Sequence, residues 1–128
     1  MSDENVGLVR EMYEAFDRGD VPAIIGGLAE NVSWNSPTVL PHGGIAHGHE
    51  EVLGFFERLA ATWNDFQVEV RDYVSSGDRV CVIGSAKGTL GGASVPTAYG
   101  FVHCLTIVDG VVLRFHEYVD PERAVYGG

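Results

Sequence analysis

The hydrophobic residues of this chain change their period once, near residue 64, and that change limits the folds open to it. Before it, apolar residues recur at spacings of three and four; after it, they alternate. Ser2 or Asp3 caps a first helix carrying Val6, Val9, Tyr13 and Phe16, and Gly19 ends it. Asp20 and Pro22 start a second helix at once, "DVPAIIGGLAE", which buries Ile24, Ile25 and Leu28. "VSW" (32–34) predicts a short strand closed by Pro37. The next stretch, "NSPTVLPHGGIAHG" (35–48), is rich in Pro and Gly and predicts an irregular loop. A third helix, "HEEVLGFFERLAATW", aligns Val52, Phe55, Phe56, Leu59 and Trp63 on one stripe, with Glu50 and Glu51 at its positive end.

Beyond the switch, "FQVEV" alternates, "SSGD" (75–78) turns, and "RVCVIGSAKGTL" returns. Gly91-Gly92 turns again into the hairpin "AYGFVHCLTIVDGVVLRFHEYVD" (98–120), and Asp120-Pro121 ends the last strand. Helices first and antiparallel strands after predict an α+β fold: a cone of three N-terminal helices against a curved, mostly antiparallel sheet. Its mouth is expected near the 35–48 loop. The chain has 128 residues, the size of a single domain spanning 1–128.

Composition removes several partners. Eight Lys+Arg against eighteen Asp+Glu give a net charge of −10, which argues against nucleic acid and anionic membrane surfaces. No basic, apolar leader and no run of about 18 apolar residues is present, so neither an export signal nor a membrane span is expected. Cys81 and Cys104 fall in strand-like runs and read as small buried hydrophobes, with a disulfide left open. A reduced, cytoplasmic protein is the expectation.

The hairpin carries His103, His116 and Glu117 among core-like residues. Two registers are open. A two-residue Asp109-Gly110 turn pairs Val108 with Val111 and sets His103 against His116. A glycine-bulge turn pairs Ile107 with Val111 and places His103, Val111, Leu113, Phe115 and Glu117 on one face. The second is preferred, because it also sends Arg114 and His116 outward. His103 is then either an ordinary core histidine or half of a His–carboxylate pair in an apolar pocket, an arrangement suited to acid–base work.

Several strings, "YEAFDRGDVPAI", "ENVSWNSP", "GGIAHGHEEVLGFFERL", "GDRVCVIG" and "VHCLTIVDGVVLRFHEYVD", resemble the SnoaL-like group of the nuclear-transport-factor-2-like superfamily. The resemblance runs from about residue 5 to 120 and implies the conical α+β barrel, a fold that hosts many chemistries. Ketosteroid isomerases have their base Asp where this chain has Ser36. Their oxyanion Tyr falls at Met12, beside Tyr13, and their second oxyanion donor at His103. The epoxide hydrolase Arg and Asp positions fall at Gly84 and Ala86, and that family's last-strand Asp at Glu117. The polyketide cyclases fit better: their "VH…IVDG" and "RDW" strings match Val102-His103, Ile107 to Gly110, and His116-Glu117-Tyr118.

The resemblance therefore implies a cofactor-independent acid–base enzyme acting on a small, mostly apolar carbonyl or polyketide-like compound. His103 and Glu117 are its candidate catalytic pair, and no metal or cofactor is implied. Tyr13, Phe16, Trp34, Ser36, Phe56, Tyr99, Phe101 and Phe115 are the candidate substrate-binding residues, with Leu59 on the same wall. The outer sheet face, expected to carry Val82, Cys104 and Thr106, implies a homodimer. The rivals are a ligand-binding or dimerisation module without catalysis, and a diverged epoxide hydrolase or dehydratase. His42, His47 and His49 lack the spacing of a zinc site and read as a solvated loop.

Overall fold

A computed structural model describes residues 2–119 of the chain; the expected strand end at Asp120-Pro121 lies outside them. The elements run α1 (Ser2–Asp17), α2 (Val21–Gly26), β1 (Leu28–Ser36), β2 (Gly44–His47), α3 (Gly48–Thr62), β3 (Trp63–Ser76), β4 (Arg79–Leu90), β5 (Thr97–Val108) and β6 (Val111–Val119). The six strands form one curved, unclosed sheet in the order β2-β1-β6-β5-β4-β3. Every neighbouring pair is antiparallel except β1 with β6.

The helices follow their sequence signals. Asp20 caps α2 through a bond from the Ala23 N–H, and Gly19 takes the left-handed turn that ends α1 at φ 74°. Val52, Phe55, Phe56 and Leu59 bury one face of α3, and Glu51 reaches back to the His47 N–H at 2.9 Å. Each such buried side chain contributes roughly 1.5–3 kcal/mol of apolar transfer free energy. Among the described residues, no helix is long and apolar enough to cross a membrane.

Four expectations need correction. The second helix stops at Gly26, and Leu28 already belongs to β1, which is nine residues long rather than three. Consecutive glycines end the helix, and pairing with both β2 and β6 extends the strand. The 35–48 segment is not wholly irregular: Gly44–His47 form β2, whose four residues are too few for alternation to show. Val82 faces inward and is fully buried; Cys81 and Ile83 are its outward neighbours on β4.

The fourth correction concerns the hairpin. Asp109 and Gly110 form a two-residue turn with φ 53° and 79°, so Val108 pairs with Val111. The glycine-bulge turn preferred from the sequence is absent. Instead β6 is bulged: Ile107 pairs with Val112 but Thr106 pairs with Arg114, leaving Leu113 without an opposite number. Val112, not Leu113, is the buried residue before the bulge, and Phe115 and Glu117 are buried after it. His103 and Glu117 therefore do share the concave face, directly opposed across β5 and β6, by a route the sequence did not signal.

Candidate active site

Strand register builds one polar row across the concave face. Ser36 on β1, Glu117 on β6 and His103 on β5 lie side by side, at 1%, 6% and 7% exposure. The Ser36 hydroxyl donates to Glu117 Oε1 at 2.6 Å, and His103 Nε2 lies 2.8 Å from Oε2. Tyr13, reaching in from α1, places its hydroxyl on His103 Nδ1. The His103 ring is fixed by Phe101, stacked at 3.8 Å and 9°, and by Phe115 at 4.8 Å.

The electrostatics assign the protons. Burial alone would push the Glu117 carboxyl up. The hydrogen bond from His103 and the charge that ring gains on protonation, then the Ser36 bond and the charge of a protonated His42, outweigh it and hold Glu117 below its ordinary value. An ionised carboxylate only accepts, so His103 Nε2 carries a proton and donates it. In the neutral ring, Nδ1 is then the acceptor of the Tyr13 O–H. Burial, and next the charge of Glu117, raise Tyr13 well above 10, so its hydroxyl stays protonated. Tyr99 is raised for the same two reasons.

This row borders a cavity of about 70 Å³ enclosed by α1, α3 and the sheet. Tyr13, Phe16, Trp34, Phe56, Tyr99, Phe101 and Phe115 all line it, together with Leu59, His103 and Glu117. Ser36 does not; it stands behind Glu117 and spends its hydroxyl there. The six polar or amphipathic side chains on the wall are Tyr13, Trp34, His42, Tyr99, His103 and Glu117, and the rest is apolar.

His42 was missed. It is 2% exposed, not solvated, and its Nδ1 accepts the indole N–H of Trp63 at 2.9 Å. Burial is the main reason its pKa is lowered; the charge of Glu117 raises it and that of Arg58 lowers it further. Tight turns bring it in: the Leu40 N–H bonds Pro37 O and the Gly43 N–H bonds Leu40 O. A Cβ at Gly43 would stand 1.9 Å from Pro37 O, so only glycine fits there. The one sequence signal was Leu40, an apolar anchor two residues upstream that is itself buried. His47 and His49 have other partners, Ser33 and the Leu28 carbonyl, so the three histidines do not converge. Among the described residues no group of three or more His, Cys, Asp or Glu is placed to hold a metal ion.

Trp34 presents a second unanticipated feature. Its ring lies flat on Phe115 at 3.8 Å, yet its indole N–H is buried with no partner among the described residues. An unmet buried donor costs about 1–3 kcal/mol.

The model of the SnoaL-like domain family matches residues 9–115. The chain belongs to the SnoaL-like family. Among solved structures, an NTF2-like protein of unknown function from Burkholderia pseudomallei is 30% identical, with a TM-score of 0.88 over 99% of this chain and 98% of that one. TerC, co-crystallised with polyporic acid, is 23% identical with a TM-score of 0.85 over 97% of each chain. A candidate polyketide cyclase from Xanthomonas campestris pv. campestris is 22% identical, with a TM-score of 0.79 over 98% of this chain and 97% of that one. No curated protein matches by sequence.

The SnoaL-like fold of this chain is thus the conical α+β barrel with NTF2-like relatives. Within it, the position resembling the epoxide hydrolase Arg is closed: a Cβ at Gly84 would meet Glu69 O at 2.3 Å and the Phe101 ring at 2.9 Å. Met12 and Tyr13 both reach the cavity wall, and Tyr13 is the one bonded to His103.

Proposed function

We propose that this SnoaL-like chain is a cofactor-independent acid–base enzyme, an isomerase, cyclase or related lyase, acting on a small, mostly apolar carbonyl or polyketide-like compound. The observation that carries the reading is the continuous chain Ser36–Glu117–His103–Tyr13, whose last three members line a mostly apolar cavity. A proton leaving the carbon beside the substrate carbonyl passes to the Tyr13 oxygen as the Tyr13 proton moves to His103 Nδ1. The C–H electron pair becomes the enolate, and Glu117 steadies the imidazolium. The reverse transfer returns the proton to carbon. Glu117, held ionised and doubly bonded, acts as the orienting group rather than the proton donor. The aromatic wall suits a flat, apolar ligand, and TerC with its polyporic acid and the candidate polyketide cyclase support that class.

The test is deuterium exchange at the α-carbon of a cyclic ketone in D₂O, followed by NMR. His103→Ala and Glu117→Gln should each slow protein-catalysed exchange on the order of a hundredfold or more. Ketone that binds but exchanges no faster than with His103→Ala would leave a binding module without catalysis. That rival has its own support, since no proton on the Ser36–Tyr13 chain lacks an acceptor.

The outer sheet face exposes Val74 and Tyr118 around half-buried Cys81, Ile83, Val102 and Cys104. We assign this face to a homodimer contact, and Tyr118→Arg should convert dimer to monomer in sedimentation equilibrium. A wild-type chain that sediments as monomer overturns the assignment. The free thiols of Cys81 and Cys104 support a reducing, cytoplasmic setting. Quantitative labelling of both thiols in protein taken directly from cells checks that setting, and an oxidised pair would contradict it.

A further inference from the structure

The acid–base chain has no donor to spare. Tyr13 gives its proton to His103, His103 gives its own to Glu117, and Ser36 gives its hydroxyl proton to the same carboxylate. A ligand that brings a carbonyl oxygen into the cavity therefore finds no free N–H or O–H on that row. The unspent donors are elsewhere on the wall. Trp34 is 4% exposed, and its indole N–H has no acceptor among the described residues. His42 is 2% exposed; because Nδ1 accepts from Trp63, its ring proton sits on Nε2, which likewise has no acceptor there. Both rings pack on Phe55, at 5.6 Å and 5.5 Å between centroids, and both line the cavity. Trp34 lies two residues before Ser36 on the same face of β1, roughly 7 Å along the strand. Tyr99 adds a hydroxyl to the wall, but on β5, three same-face positions from Leu105, the β5 member of the row that Trp34 joins.

We propose that the Trp34 and His42 N–H groups form the oxygen-binding subsite of this cavity. The ligand is then an acceptor-bearing apolar compound, such as a ketone, lactone or quinone, whose carbonyl oxygen lies on the Phe55 side and whose adjacent C–H faces Tyr13 and His103. This deepens the acid–base reading and rests on it for the placing of the C–H. The subsite itself rests only on the two donors. His42 carries no charge there, so it recognises a neutral oxygen and stabilises the developing enolate by hydrogen bonding alone. The subsite also predicts exclusion: a compound whose only polar group is a donor leaves both N–H groups unmet.

The chain has two tryptophans, so its indole region holds two N–H signals in a ¹⁵N–¹H spectrum. Trp63→Phe and Trp34→Phe assign them. The probes are cyclohexanone and methylenecyclohexane, of equal shape but with and without the oxygen. Without donors, an apolar cavity favours the hydrocarbon; with them, the ketone wins, so the sign of the preference decides. Cyclohexanone should bind at least tenfold tighter and move the Trp34 indole proton downfield, while methylenecyclohexane leaves it in place. Trp34→Phe should reduce the ketone preference to within about threefold of none. A Trp34 signal unmoved at the highest cyclohexanone concentration overturns the proposal whether or not any variant folds. So does equal or weaker binding of the ketone. The exchange experiment separates the two ideas. Catalysed exchange with an unmoved Trp34 signal sinks the subsite alone, and a shifted Trp34 signal without exchange sinks the enzyme alone.

Discussion

Two rows of residues cross the same strands one position apart, and they could hardly differ more. On the concave face run Ser36, Glu117, His103 and Val82; on the convex face run Asn35, His116, Cys104 and Cys81. The inner row is buried, holds a charge, and satisfies it with hydrogen bonds from two side chains. The outer row is half-exposed and pairs two thiols whose sulfurs lie 3.0 Å apart. Burial, with the Cys81 contact adding to it, pushes the Cys104 thiol up to about 11, whereas Glu117 is held down although it is more deeply buried. Burial thus does not decide ionisation by itself. A cationic or donating partner in hydrogen-bond reach reverses its sign, and Cys104 lacks one close enough to do so.

The largest break in this contrast comes from removing the inner partner. His103→Ala leaves a buried carboxylate with only Ser36, and urea unfolding at pH 7 should show a loss of about 3–5 kcal/mol. A loss within 1 kcal/mol would mean that Glu117 turns to solvent or takes up a proton, and that the inner row is not organised by the His103–Glu117 hydrogen bond.

Acid should dismantle the interior in two stages. His42 has a lowered folded pKa, so the unfolded chain binds its proton first; its contribution is whole above about pH 6.5 and declines as pH falls through the folded value. Glu117 also has a lowered folded pKa, so its contribution is whole above about pH 4.3 and is lost below that. Urea melts from pH 7.5 to 3 should show both declines. Glu117→Gln should flatten the lower one and His42→Phe the upper one. If neither variant changes the slopes, the interior groups do not carry the acid sensitivity.

The smallest effect belongs to the outer row. Cys81→Ala removes one cause of the raised Cys104 pKa but leaves the larger one, burial. Thiolate absorbance should titrate below about 11 yet above the ordinary cysteine value of about 8.5, with a stability change under about 1 kcal/mol. A full return to the ordinary value would mean that the neighbour, and not burial, had set it.

How far the sequence foretold this is uneven, for physical reasons. The period switch gave the order of helices and strands, and β4 came out with its full Arg79–Leu90 span, because the turn residues at 75–78 and 91–92 that bound it are local signals. Tyr13, His103 and Glu117 were legible as candidates, since polar residues in apolar runs stand out. What failed was non-local. The Leu113 bulge lies beside a register shift in the β1–β6 pairing, and no turn residue marks it. His42 is buried by a chain reversal among glycines and prolines, the composition that otherwise signals exposure. Val82 was misplaced because the Val80–Gly84 run in β4 is apolar at every position and does not itself alternate. Trp34 was a candidate for the substrate wall but not for a donor, because an unspent N–H leaves no mark in a sequence.

The bulge at Leu113 has a consequence of parity. A strand counts in twos, so the residues it turns inward are all even or all odd. In β6 the inward residue before the bulge is even, Val112, and those after it are odd, Phe115 and Glu117. One uncounted residue changes the tally. Were the bulge straightened and Leu113 taken into the ladder, the count would stay even and hand the cavity Arg114 and His116 in place of Phe115 and Glu117. The same letters would then enclose a guanidinium and an imidazole where the chain now encloses a benzyl ring and a carboxylate, so the chemistry of the interior hangs on a residue that has no partner in the ladder.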